Sequence, residues 1–224
     1  MGFFVLIPIV KKPLIIIFLV LLADQILKFW IKTHMFLGES ICISGDWFYI
    51  TFVENYGMAF GMEFGGEYGK LFLSLFRIVV VGTMLYYLIK AAKNNSLHQG
   101  LVVSFSLIVA GAIGNIIDSA IYGLLFNDSF GQVASFMPAD GGYATFLHGR
   151  VVDMFYFPII ESQFPTWFPL LGGEEFTFFS PVFNLADMSI STGVGVFIIY
   201  QKHFFKEEKN IVSAKEENLT DEKE

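Results

Sequence analysis

The sequence predicts an all-α integral membrane protein: four transmembrane helices, a small extracytoplasmic β-rich cradle and an interfacial loop. Three observations carry this. The 224 residues are 54% hydrophobic and only 16% charged, with 27 phenylalanines, and the mean hydropathy is +0.60. A soluble domain needs about a quarter charged residues to cover its surface. Four stretches are apolar over the roughly 20 residues a helix needs to cross about 30 Å of hydrocarbon. Lysine and arginine also gather on alternate connections, as the positive-inside rule requires. The net charge of −7 argues against a nucleic-acid partner, whose phosphates call for a basic face. The single cysteine, Cys42, allows no intrachain disulfide and reads as a small packing residue.

The first span covers about 13–31, behind Lys11 and Lys12. A basic pair before a short apolar core is also what a cleaved signal peptide shows. Helical apolar spacing continues past Asp24 through Ile26, Leu27, Phe29, Trp30 and Ile31, so the segment is read as a full span. The others cover about 70–89, 100–125 and 179–200. Lys90 and Lys93 follow the second, Lys202 and Lys206 follow the fourth, and the long loops 33–69 and 126–178 hold only Arg150. Both termini are therefore expected in the cytoplasm and both long loops outside. Residues 1–205 read as one membrane domain, and the charged run 206–224 as a disordered cytoplasmic tail. Near alternation of Ile41, Ile43, Trp47, Tyr49, Thr51 and Val53 predicts short strands on the membrane surface. The stretch 155–171, aromatic and proline-rich, suits a segment dipping into the interface.

Ionisable groups inside spans cost at least ~2.5 kcal/mol each, so each asks for a reason. Asp24 and Lys28 lie one turn apart and read equally as an internal ion pair or as part of a site. Arg77 reads as a structural residue snorkelling to the interface. Gly111, Gly114, Asn115 and Asp118 share one face of the third span, and Asn184 and Asp187 lie one turn apart on the fourth. Taken singly, Asp118 could be a helix cap and the asparagines interhelical hydrogen-bond formers. Asp153 and Asp187, however, stand at opposite ends of one loop that could fold them together. The four histidines show no metal-ligand spacing, and nothing calls for a metal or an organic cofactor. Two acids can support hydrolysis or proton-coupled transport; the lack of an internal repeat gives transport little support.

Five blocks, ADQILK (23–28), ENYGMAF (54–60), AGAIGNIID (110–118), GRVVDM (149–154) and FNLAD (183–187), together resemble the lipoprotein signal peptidases, or signal peptidase II. The resemblance implies an aspartic peptidase of the bacterial inner membrane with its active site toward the outer face, expected as a monomer. Its substrate would be a prolipoprotein diacylglyceryl-modified on a cysteine, presented from the lipid bilayer and cut just before that cysteine. It implies Asp153 and Asp187 as the catalytic pair, with Asn55, Gly111, Asn115, Asn184 and Asp24 lining the substrate site, and no cofactor. The chain departs from the family in two places. Ser119 stands where an arginine is usual, with Arg150 a candidate to stand in for it. A segment, 124–148, is inserted before the block GRVVDM, and residues 126–148 of it read as a mobile outer flap.

Overall fold

The structure is a computed structural model that describes residues 3–55, 66–93, 97–158, 160–163, 166–167, 169, 173, 175–178 and 181–202. The expected tail 206–224 lies outside the described residues, as do parts of the interfacial segment and residues 56–60 of the second motif block. The helices are α1 (Phe3–His34), α2 (Gly66–Lys93) and α3 (Gln99–Ile117); a π-helical turn (Asp118–Tyr122) and a last turn α4 (Gly123–Leu125) follow α3. A further helix, α5, covers residues 185–202. The strands are β1 (Ser40–Ser44), β2 (Phe48–Asn55), β3 (Val151–Tyr156), β4 (Ile160–Gln163), β5 (Glu175–Phe178) and β6 (Val182–Phe183). Among the described residues three helical stretches are long and apolar enough to cross a membrane: Lys11–His34, Gly69–Lys93 and Gln99–Leu125.

The chain divides into two compact units. The first joins residues 1–23, 75–116 and 186–224. Its core is Ile17, Val81, Leu88, Val102, Val109 and Ala110, while Leu14, Phe18, Val79 and Ile199 point outward. Apolar residues on both faces are what a helix needs when its solvent is hydrocarbon. The seam between α3 and α5 is built from small residues. A Cβ at Gly111 would collide with the Ala186 carbonyl oxygen, and one at Gly193 with Ser104 and Ile108. Ser104 Oγ donates to the Gly193 carbonyl at 2.7 Å and Ser189 Oγ to that of Leu107 at 2.8 Å. Small residues here let two backbones approach as lipid-embedded helices favour.

The second unit joins residues 24–74 and 117–185. It holds an antiparallel sheet in the order β1-β2-β3-β6 and a separate β4–β5 hairpin. Ile31 and Met35 from α1, Phe52 from β2, Tyr122 and Phe126, and Val152 and Met154 from β3 form its core. The strands expected around residues 40–53 are therefore present as β1 and β2. Three expectations are corrected. The fourth helix was expected from 179, yet Val182 and Phe183 are a strand paired with Tyr156 and Phe155. Pro181 lacks the amide that a helix continuing through it would use, and helix begins only at 185. The insertion 124–148 is not a loose flap either. Phe126, Ser129, Ala134 and Leu147 are buried, and the amides of Ala144, Leu147 and Gly149 donate to the carbonyls of Gly123, Ala120 and Ser119. The segment thus caps the carbonyls that the π-turn leaves unpaired. Cys42, expected to pack, is exposed, and its Sγ donates to the Gly45 carbonyl.

Gly111→Leu should prevent α3 and α5 from closing, a loss of at least the 1–3 kcal/mol typical of overpacking. Gly195, with nothing within 4 Å of an added Cβ, provides the control substitution, Gly195→Ala. Thermal unfolding in detergent should show a marked loss for the first and little change for the second.

Candidate active site

Asp153 is the third residue of β3 and is only 2% exposed. Strand register explains its company. β2 runs antiparallel to β3 with Val53 opposite Asp153 and Asn55 opposite Val151, so Asn55 and Asp153 are diagonal neighbours on one face. Asn55 Nδ2 donates to Asp153 Oδ2. The pairing of β6 with β3 brings the next residue, the buried Asn184, into reach, and its Nδ2 donates to Asp153 Oδ1 at 2.6 Å. Each carboxylate oxygen thus accepts a hydrogen bond from a different carboxamide.

Asp187 belongs to the first unit and lies in the first turn of α5, half-buried. Asn115 Nδ2 on α3 donates to its Oδ1 at 2.8 Å. Arg77 on α2 is an electrostatic neighbour of Asp187. Sequence reasoning assigned Arg77 to snorkelling and missed this. The signal available was the cost of a cation within a span, which a nearby carboxylate relieves. Gly111 stands one turn before Asn115, and its missing Cβ is what admits the Ala186 carbonyl.

Asp24 is held in a different setting, a ladder of buried charge along α1. Asp24, Lys28 and Lys32 recur every fourth residue and are fully buried. Lys28 Nζ lies 3.0 Å from Asp24 Oδ2 and 2.8 Å from Asp118 Oδ2. Asp118 further accepts from Gln25 Nε2 at 3.0 Å and from the Val152 amide at 3.3 Å. Asp118 is therefore a buried ion-pair partner rather than a simple helix cap, and it ties the end of α3 to the residue preceding Asp153. One turn along, Lys32 pairs with Glu54 and hydrogen-bonds Ser129 Oγ at 2.9 Å. Arg150 reaches Glu54 at 2.9 Å and Asp128 at 3.0 Å, which is where the candidate replacement for the missing arginine is engaged. Ser119 itself is buried in the π-turn.

Tyr143 lies between the two cations, its ring centroid 4.9 Å from Lys32 Nζ and 4.2 Å from Arg150 Cζ. Its hydroxyl accepts the Arg150 amide at 2.6 Å. Burial above all pushes the phenol up to about 12, so it remains a neutral hydroxyl. Burial opposes the charge on Arg150, but Glu54 and Asp128 outweigh it and raise the guanidinium further. Burial likewise opposes ionisation of Asp128, yet the Phe130 amide and Arg150 hold its carboxyl below the ordinary value of 3.8.

Among the described residues no cluster of three or more His, Cys, Asp or Glu is arranged to hold a metal ion. Residues 16–203 match the family model described as Signal peptidase (SPase) II. The chain belongs to the signal peptidase II family. It is 52% identical to the lipoprotein signal peptidase of Porphyromonas gingivalis over 82% of this chain and 80% of that one. It is 35% identical to the lipoprotein signal peptidase of Amoebophilus asiaticus over 81% and 73%. A solved structure described as a bacterial membrane enzyme obtained by the in meso method superposes with a TM-score of 0.58. That match is at 26% identity and covers 86% of this chain and 88% of that one. Signal peptidase II enzymes are aspartic peptidases, so the choice between hydrolysis and transport falls to hydrolysis in a multi-pass membrane enzyme.

The depressed Asp128 carboxyl gives a pH prediction. A lowered folded value contributes stability that is full above 3.8 and lost as pH falls through the folded value. Asp128 is nearly half exposed, so solvent screening keeps the contribution to about 0–1 kcal/mol. Asp128→Asn should be slightly less stable than the parent at neutral pH, and the gap should close in acid. Melting followed by tryptophan fluorescence across pH measures it; a gap that does not vary with pH would contradict the assignment.

Proposed function

We propose that this peptidase removes the signal peptide from prolipoproteins already diacylglyceryl-modified on a cysteine, cutting just before that cysteine, with Asp153 and Asp187 as the catalytic pair. The observation that carries the reading is the position of Asn184. Its carboxamide holds one oxygen of Asp153, and it stands just before α5, three residues ahead of Asp187. One short segment therefore supplies both a holder for the first acid and the second acid itself. Asn55 and Asn115 complete the polar lining, each fixing one carboxylate by an amide donor. Gly111 supports the α3–α5 approach, and Asp24 supports the site through its ladder.

Hydrolysis by two carboxyls needs opposite protonation states. The ionised one takes a proton from water as the water attacks the scissile carbonyl. The protonated one hydrogen-bonds to the developing oxyanion. Two acids that share a site near hydrocarbon resist double ionisation, so the proposed pair would rest with one shared proton. The carboxamides orient the acids through neutral N–H donors, and Arg77 adds a cation near Asp187. The lipid on the substrate anchors it in the bilayer at the depth of the acids, an advantage of proximity.

In this reading α5 is the fourth span. Both termini are cytoplasmic and the sheet lies on the outer side of the inner membrane, as the lysine distribution favours. The enzyme acts as a monomer, residues 1–205 form the peptidase domain and 206–224 a cytoplasmic tail, and neither metal nor cofactor takes part.

Purified Asp153→Asn and Asp187→Asn proteins, incubated with a lipid-modified precursor, should each lose about 10²–10⁴-fold or more in kcat while remaining folded. The double variant should be little worse than either single one, since the pair acts as a unit. Asp118→Asn should keep measurable cleavage with reduced thermal stability. Full activity in both single variants, or complete loss only at Asp118, would overturn the assignment.

A further inference from the structure

The insertion 124–148 presents an apolar edge to which the proposed hydrolysis assigns no role. Phe136 and Met137 are 46% and 69% exposed, yet both are held in place. The Met137 amide donates to the Leu125 carbonyl at 2.7 Å. Phe136 is bridged to Phe126, and its ring meets that of Phe29 edge-on at 5.2 Å. Met137 keeps this position at φ 51°, a left-handed backbone that glycine adopts without a steric penalty. A large apolar side chain is thus displayed despite local strain.

The neighbours of this edge are the lipid-facing ends of two spans. Phe29 belongs to the stretch Lys11–His34, and Leu125 ends the stretch Gln99–Leu125. The exposed residues there are Phe29, Ile121 and Leu124. Residues 129–139 contain no charged side chain. An uncharged, ordered loop edge that continues an existing lipid-facing surface has the chemistry of bilayer rather than of water.

We propose that Phe136 and Met137 insert into the acyl region of the leaflet at that end of the spans, making the insertion a lipid-contacting anchor beside α1 and α4. The occupant of the edge is membrane lipid. The anchor holds the segment that caps the π-turn at a fixed depth, so the departure from the family pattern adds membrane contact to the outer half of the molecule.

The test uses the full chain with Cys42→Ser as background, carrying either Met137→Cys or Asp140→Cys labelled with an environment-sensitive nitrobenzoxadiazole probe. Each protein is placed one copy per phosphatidylcholine nanodisc, with or without lipids doxyl-labelled on the acyl chain. Cleavage of a lipid-modified precursor at the parent rate certifies that each labelled protein is folded. The Met137→Cys probe should emit to the blue and lose most of its intensity to the doxyl lipid, while the Asp140→Cys probe should emit as in water and be little quenched. Water-like emission without quenching at Met137→Cys would overturn the proposal. A blue shift without doxyl quenching would assign the edge to protein contact. A blue shift seen only when several copies share one bilayer would assign it to a second copy. Either of these also overturns it.

Discussion

The cost of a charge in a low-dielectric interior governs this molecule. Helix α1 carries Asp24, Lys28 and Lys32 at fourth-residue spacing, so all three emerge on one face, and all three are fully buried. An isolated ion there would cost several kcal/mol, and only excellent pairing offsets it. The pairing is met from outside the helix, by Asp118 at the end of α3 and by Glu54 on β2. These partners are not remote from the site. Asp118 also accepts the amide of Val152, beside Asp153, and Glu54 stands beside Asn55. Satisfying the charges of α1 therefore fixes the strands that hold the candidate acid.

The acids sort into two kinds by what holds them. Asp24, Asp118, Glu54 and Asp128 are each met by a lysine or an arginine. Such carboxylates are tied by charge-assisted contacts, which suits a strut. Asp153 accepts from the carboxamides of Asn55 and Asn184, and Asp187 from that of Asn115 with Arg77 as an electrostatic neighbour. A carboxamide orients a carboxyl through a neutral N–H donor. The insertion belongs to the first kind. Its Ser129 and Asp128 extend the ladder, Tyr143 stacks on both cations, and its backbone caps the π-turn.

Much of this was legible in the sequence. Hydrocarbon-length apolar runs gave the helices, and alternation gave β1 and β2. The five motif blocks gave the candidate acids and the asparagines that turn out to hold them. The Asp24–Lys28 pair followed from spacing alone. What was hidden depends on contacts between residues far apart in the chain. Nothing local says that Lys28 reaches Asp118, that Lys32 reaches Glu54, or that Arg77 neighbours Asp187. The start of α5 was misjudged because Val182 and Phe183 look as apolar as a helix interior, and only their pairing with β3 makes them a strand. The insertion was misread because its glycines suggest freedom. Its anchoring resides in Phe126, Ala134 and Leu147, whose burial no short window shows.

The α1 ladder supports the strands bearing the candidate acid, and a substitution at Lys28 puts this to the test. Lys28→Met leaves Asp24 and Asp118 buried without their shared cation, a change expected to cost about 3–5 kcal/mol of stability and to lower kcat with it. Adding Asp118→Asn removes one of the two orphaned charges, so unfolding in detergent should show the double variant recovering part of that loss. If the two substitutions instead add, or if Lys28→Met unfolds like the parent and cleaves at the parent rate, the ladder is not what holds the site.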